Sequence, residues 1–328
     1  MKKRIFALLQ AFVLLTAVSA CGTSEAEQPA EEPSRVMTMG AGNAAGSYYA
    51  FGNLLSGYMQ DASGIDIDVV STDGSAANIY GIEDGSYQLA LAQADVMSYA
   101  WGGTHSFAED GAIQSFRAIG GLYEEAVQIV TLDETISHVE DLKGKTVSIG
   151  AEDSGVSFNA MHILEVYELA EADVHTVNLT FEESVAAMKE GTVDAAFIVS
   201  GAPTQAIAEL AAEEQMHLVH IDGEKAEELL ARYPYYNEYV VLSGTYPGLD
   251  EDVATVSIQA TVIVSADAAE EDVYHLTAGI YENTEAISAI LERGIQLSVE
   301  NATTGVSVPF HPGAAKYFAE KGFTVPTE

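Results

Sequence analysis

The sequence predicts an α/β protein of two domains, and three observations lead there. At 328 residues the chain is about twice the usual length of one domain. Short apolar runs alternate with helix-length segments, as in parallel α/β sheets. The same unit, a strand followed by a glycine turn and a helix, opens both halves of the chain.

In the first half, Val36–Met39 reads as a strand, followed by a Gly-rich turn and a helix from about Tyr48 to Met59. Ile65–Val70 alternates as a second strand, Ala76–Asp84 is a short helix, and Leu89–Ala92 is a third strand. Arg117–Tyr123 and Val127–Leu132 are two strand-like runs joined by Glu124 and Glu125. That joint is the expected crossing into the second domain. The pattern then restarts with a strand at Thr146–Ile149, a turn at Gly150–Gly155 and a helix from about Ser157 to Tyr167. A helix at Glu182–Glu190, a strand at Ala195–Val199, a turn at Ser200–Pro203 and a helix at Thr204–Glu213 follow. After a strand at Leu218–Ile221, the apolar run Val256–Val264 carries the chain back, and acidic helices at Glu271–Leu291 and Ala314–Lys321 close it. The expected division is residues 36–125 with 255–328 as domain I and 126–254 as domain II.

The first residues carry an address. Met1-Lys2-Lys3-Arg4 is basic, and Ile5–Val18 is apolar but short for a membrane span, so residues 1–20 read as a signal peptide. Val18-Ser19-Ala20-Cys21 places small residues before the one cysteine, as in a bacterial lipobox, with Cys21 the expected lipid-modified residue. Residues 21–35 are polar, acidic and proline-containing, a tether of roughly 20 Å by random-coil scaling. The expected location is outside the cytoplasm, anchored to the membrane through lipid.

The formal net charge is −37, and loss of the signal strips three basic residues and no acidic one, leaving −40. That balance repels phosphate backbones and argues against nucleic-acid binding. It also repels itself in dilute buffer, which suggests a salty environment. A single cysteine rules out an internal disulfide and a cysteine-rich metal site.

Gly40-x-Gly42-x-x-x-Gly46 follows a strand and opens a helix. Inside a cell this spacing would raise a dinucleotide site, which the signal peptide argues against. Such a turn still leaves free N–H groups and the positive end of a helix dipole, a ready anion site. The geometry recurs at Gly150–Ser157 and Ser200–Pro203. Ligands of open α/β sheets bind beyond the carboxyl ends of strands, so two facing domains would aim several helix N-termini into one cleft. Gly144-Lys145-Thr146 is no phosphate loop, because Val139 stands where the first glycine belongs. The chain lacks G-x-S-x-G, and His162 with Glu165 lacks a third metal ligand. His217 and His220 flank a strand on opposite faces, poor geometry for one metal. No cofactor, metal or catalytic set is expected. Of Tyr48 and Tyr49, only one faces the cleft, since successive helical residues point about 100° apart.

Four segments, Met37–Leu55, Ser71–Gly103, Asp141–Tyr167, and Gly244–Val264 with Val308–Phe323, resemble the TAXI-type solute receptors of tripartite ATP-independent periplasmic (TRAP) transporters. The resemblance implies the type II periplasmic-binding fold: two α/β domains joined by hinge strands, with a ligand cleft between them. It implies a receptor, not an enzyme, that captures a small organic acid or glutamate-like amino acid and delivers it to a TRAP permease for ion-driven uptake. Asn43, Ser47 and Tyr48 are then donors at the first helix N-terminus, and Ser75 and Asn78 lie at the second loop-to-helix junction. Gln93 and Asp95 end the third strand, with Asp95 placed for a ligand ammonium. Ser154, Gly155 and Ser157 form the anion turn of the second domain, and Phe197 and Ser200 end a cleft-facing strand. Each hydroxyl suits a helix cap as well, and Phe197 suits a core. No Lys or Arg lies in these turns, so a bound anion would depend on backbone dipoles and hydroxyls unless Arg117 reaches in. The first turn, Gly42-Asn43-Ala44-Ala45-Gly46-Ser47, is poorer in Gly and Thr than the family's usual form, which points to a different ligand. Alternatives are a receptor for an ABC importer or a sensor kinase, and an extracytoplasmic enzyme on the same scaffold.

Overall fold

The computed structural model describes residues 35–170, 172–290 and 297–328. The expected signal peptide, Cys21 and nearly all of the tether lie outside the described residues.

The chain begins with β1 (Arg35–Gly40), α1 (Ser47–Ser63), β2 (Ile65–Val70), α2 (Ser75–Glu83), β3 (Leu89–Gln93) and α3 (Ala94–Gly102). α1 forms because Phe51, Leu55 and Met59 recur at helical spacing and bury one stripe. It stops at Gly64, whose φ of 68° suits a left-handed cap and whose N–H returns to the Gln60 carbonyl. β1, β2 and β3 pair in parallel.

The long strand β4 (Phe116–Thr131) follows, then β5 (Thr146–Ser148), α4 (Gly155–Val166), β6 (His175–Val177), α5 (Phe181–Lys189), β7 (Ala195–Ser200) and α6 (Gln205–Glu213). Next come β8 (His217–Val219), α7 (Gly223–Arg232), β9 (Tyr236–Val241) and a second long strand, β10 (Val253–Ser265). The chain closes with α8 (Glu270–Tyr281), α9 (Thr284–Ile290), α10 (Val299–Ala302) and α11 (Pro312–Glu320). α5 starts on a capping box in which Thr180 and Glu183 satisfy each other's backbone N–H groups.

Among the described residues the strands form one sheet in the order β2-β1-β3-β10-β4-β7-β5-β6, with β8 beside β4 and β9 beside β10. β4 and β10 run antiparallel through its centre and change partners along their length. β10 pairs with β9 over Val253–Ile258 and with β3 over Ala260–Val264. β4 pairs with β7 from Ala126 to Thr131. Two hydrophobic cores flank this exchange. One gathers residues between Met39 and Tyr123 with those from Ala260 to Phe318. The other gathers residues from Ala126 to Ile258, joined by Ala45. We call the bodies around them the first and second lobes.

Three expectations are corrected. Glu124 and Glu125 do not break the strand: β4 is continuous, because its ladder with β10 runs through both residues. Ser257 Oγ donates to the Glu124 carboxylate at 2.8 Å. The helix expected over Glu271–Leu291 is two helices, α8 and α9. Asn283 separates them: its side chain donates back to the Gly279 carbonyl, and its own carbonyl accepts from Ile287 N–H. Arg117 does not reach the cleft. It donates to the Gln114 and Phe116 carbonyls and lies over the Trp101 ring.

Candidate functional site

A cavity of about 50 Å³ lies between the lobes, enough for a few water-sized groups before any opening. Besides the start of α5, three helix N-termini meet on it. α1 and α2 come from the first lobe through Gly46, Ser47 and Ser75, and α4 comes from the second through Ser154 and Gly155. Gln93 and Glu125 line it from the strands, and Phe181 from the start of α5. Two larger grooves run beside α4, but they are open surface and no α-helix begins in them.

The lobes touch around the cavity. Ser47 N–H donates to Ser200 Oγ at 2.9 Å, Ser200 Oγ donates to Ser47 Oγ at 2.8 Å, and Ser47 Oγ donates to the Gly201 carbonyl. At the start of α2, Ala76 and Ala77 N–H donate to the carbonyl of Asp153, which is held at a φ of 58°. Asn159 donates to Asp95 at 3.0 Å, and the Ser98 and Tyr235 hydroxyls lie 2.6 Å apart. Phe158 of α4 stacks against Tyr99 and Phe107 of the first lobe. These contacts describe a closed cleft.

Of the residues singled out from the sequence, Asn43, Ser47, Tyr48, Ser75, Gln93, Ser154, Gly155 and Ser200 line the cavity. Asn43 Oδ1 is used locally, accepting from Ala45 N–H. Ser75 does not cap α2, which Gly74 precedes; its hydroxyl instead accepts from Gln93 N–H. Ser154 caps α4 by accepting from Ser157 N–H.

Four others stand elsewhere, each for a visible reason. Asn78 is fully buried, with its amide donating to the Ala41 and Leu91 carbonyls and its oxygen accepting from Thr72. Asp95 sits at the start of α3, where the chain turns directly out of β3, and accepts from Val96 N–H and Asn159. Ser157 lies one turn further along α4, and its hydroxyl returns to the Ser154 carbonyl. Phe197 is fully buried in the second core.

The sequence reading passed over Glu125, Asp73, Thr180 and Phe181, which also line the cavity. Glu125 is 2% exposed, and its Oε2 has no hydrogen-bond partner. Gln93 Oε1 and the Tyr48 hydroxyl are likewise buried and unpartnered. Burial pushes the Glu125 carboxyl up to about 8; the nearby Tyr48 and Gln93 pull it partly down, and the charges of Asp95 and Glu124 push it further up. Burial raises the Tyr48 and Tyr123 hydroxyls in turn, with the Glu125 charge adding to both. No Lys, Arg, His or Cys is among the lining residues.

Glu165 is committed to contacts within the second lobe, and His162 packs there and against Tyr99 of the first. Glu165 accepts from Arg232 and Tyr233, and His162 stacks on Tyr233 with ring centres 4.1 Å apart. Burial holds the His162 imidazole down near 4, with His105 adding to the effect.

Two lobes, two crossing strands and a cleft ringed by helix N-termini define the type II periplasmic-binding fold. The NMT1-like family matches residues 39–322, and the chain belongs to that family. Solved structures share the fold. An ancestral arginine-binding protein bound to arginine is 14% identical, with 79% of this chain and 97% of that chain covered at a TM-score of 0.51. A putative L-cystine ABC transporter protein from Listeria monocytogenes is 13% identical, with 80% and 98% covered at a TM-score of 0.50.

Proposed function

We propose that the protein is an extracytoplasmic solute receptor that closes its lobes on a small organic acid or amino acid and hands it to a membrane transporter. The observation that carries this reading is the cavity itself: three helix N-termini from two lobes converge on buried polar atoms without partners. The lobes we assign to it are residues 36–125 with 255–328, and 126–254, moving about β4 and β10. Binding rather than catalysis fits the lining, whose serines have no imidazole, thiolate or amine beside them. We propose attachment to the membrane through lipid on Cys21.

The recipient we propose is an ABC-type importer, since solved structures of this fold include a putative L-cystine ABC transporter protein. A TRAP-type permease is the second reading, favoured by the four sequence segments that resemble TAXI receptors. Uptake in cells carrying receptor and transporter separates the two. Loss of uptake on ATP depletion with the ion gradient intact supports the ABC reading, and the converse supports TRAP.

The receptor reading is tested by thermal melts of residues 35–328 with amino acids, mono- and dicarboxylates, sulfonates and sugars at two salt concentrations. A ligand at 100 times its Kd adds about 2.7 kcal/mol. Selective stabilisation by one class is the expected result. A folded protein, free of co-purified ligand, that responds to none of them overturns it.

A further inference from the structure

The cavity is lined by unmet hydrogen-bond acceptors and unmet donors, and no side-chain cation stands among them. The N–H groups of Tyr48, Ser75, Gly155 and Val156 find no acceptor among the described residues. They open three helices of 17, 9 and 12 residues, so their dipole ends add to the pull on an anion. The unmet acceptors are Glu125 Oε2 and Gln93 Oε1, both buried, with the Tyr48 hydroxyl beside Glu125. A primary ammonium is a donor only, so oxygens of this kind suit it.

We propose that this cavity selects a small zwitterion, a solute carrying an amine and an acid group, and that Glu125 is the residue that reads the amine. The inference rests on the receptor reading and narrows it. A ligand with two acid groups and no amine would set one of them against Glu125, with no base in the lining to offset the repulsion. A ligand with an amine alone would leave the helix N–H groups unmet. An amine with an acid group satisfies both the unmet acceptors and the unmet donors.

A proton follows from the same geometry. The groups facing Glu125 are Tyr48 from α1, Tyr123 and Glu124 from β4, Gln93 from β3 and Asp95 from α3, and none is a cation. The empty site therefore favours the protonated carboxyl at neutral pH. Pairing with an ammonium favours the carboxylate, so the Glu125 proton leaves to solvent as the ligand enters.

The test uses pairs of probes that differ only by amine against hydroxyl: L-alanine and L-lactate, L-glutamate and L-2-hydroxyglutarate, taurine and isethionate. Calorimetry at pH 7 in phosphate and in Tris, buffers of different ionisation heat, reads affinity and proton release together. In any pair that binds, the amine member is expected to bind at least tenfold more tightly and to release a proton. Glu125→Gln is expected to lose at least tenfold in affinity for that amine, to narrow the amine-to-hydroxyl ratio and to release no proton. Gly57→Ala, on the exposed side of α1 and outside the lining, keeps both preference and release. Equal affinity within a pair, or an amine ligand that enters without releasing a proton, overturns this proposal and leaves the receptor reading standing. Silence from every solute in the wider library overturns both. If Glu125→Gln does not fold, the wild-type ratio and proton count still decide.

Discussion

Gly155→Ala tests whether the cavity between the lobes is the one that closes. Gly155 opens α4 in the second lobe and faces Gln93 of the first. An added Cβ falls 2.2 Å from Gln93 Oε1 and 2.4 Å from its Cδ, closer than carbon atoms tolerate. Gln93 is 2% exposed and lines the cavity, so the end of its side chain can make room only by swinging into the space a ligand would take. Overpacking of this kind costs about 1–3 kcal/mol. The penalty falls on the closed state alone, because opening the lobes separates the two residues. Ligand affinity should therefore fall about 5- to 150-fold. The melt of the ligand-free protein should not drop, since alanine favours a helix over glycine by up to about 1 kcal/mol. Calorimetry with the best ligand from the melts measures the first effect, and small-angle scattering with and without ligand measures closure. An unchanged Kd with full compaction would refute the assignment of this cavity as the closing cleft.

Other perturbations separate stability from binding. Gly57→Ala, on the exposed side of α1 with nothing within 4 Å of the added methyl, should stabilise the protein by about 0.5–1 kcal/mol and leave affinity unchanged in calorimetry. Tyr246→Phe should cost about 1–3 kcal/mol in urea melts, because the hydroxyl donates to buried Gln128 and accepts Thr204 N–H at 2.8 Å. Stability without ligand should fall from about pH 5 to pH 8. Glu125 and Asp95 carry pKa values raised by burial to about 8 and about 7, so the folded state keeps protons that the unfolded chain has released. Each contributes a slope of up to about 1.4 kcal/mol per pH unit, present below its unfolded pKa and lost as pH rises through the folded one. His162, held neutral with its pKa lowered, works the other way and loses stability as pH falls from about 6.5 toward 4. Urea melts at pH 5, 6, 7 and 8 on wild type and Asp95→Asn check this; a flat wild-type profile sinks it. The urea midpoint should also rise from 0.1 to 1 M NaCl, as screening shortens from about 10 to about 3 Å around a chain of net charge −37.

The fold was legible where the signal is local. Each glycine turn after a strand announces a helix N-terminus, and α1, α2, α4 and α6 all start within a few residues of where the turns put them. α7 was missed because its charged residues leave Leu229 as its one fully buried side chain, too thin a stripe to read as a period. β9 was missed because it follows Pro234 and faces solvent along much of its length. At the site, hydroxyls in the turns were legible and the carboxylate was not. In the sequence both Asp95 and Glu125 follow a strand-like run, and only the third dimension tells them apart. α3 begins at Ala94 without a loop, which rolls Asp95 away from the cavity toward Asn159. β4 continues without a break, which holds Glu125 in the cleft wall.

On the proposed receptor reading, a heavily acidic protein without a base lining its cavity must bind acid groups by other means, and the arrangement of helices would tie binding to motion. The free N–H groups of α1 and α2 belong to the first lobe, and those of α4 to the second. Apart, each lobe offers a partial site open to water, where one helix end is worth about 0.3–1 kcal/mol to an anion. Together, they surround one acid group in a cavity closed by the Ser47–Ser200 and Ala76–Asp153 contacts. A ligand shifts a conformational equilibrium only by its differential affinity for the two states. An arginine on one lobe would grip an anion equally well open or closed. Backbone donors divided between the lobes reach full strength only on closure, so the free energy of anion binding is spent on bringing the lobes together.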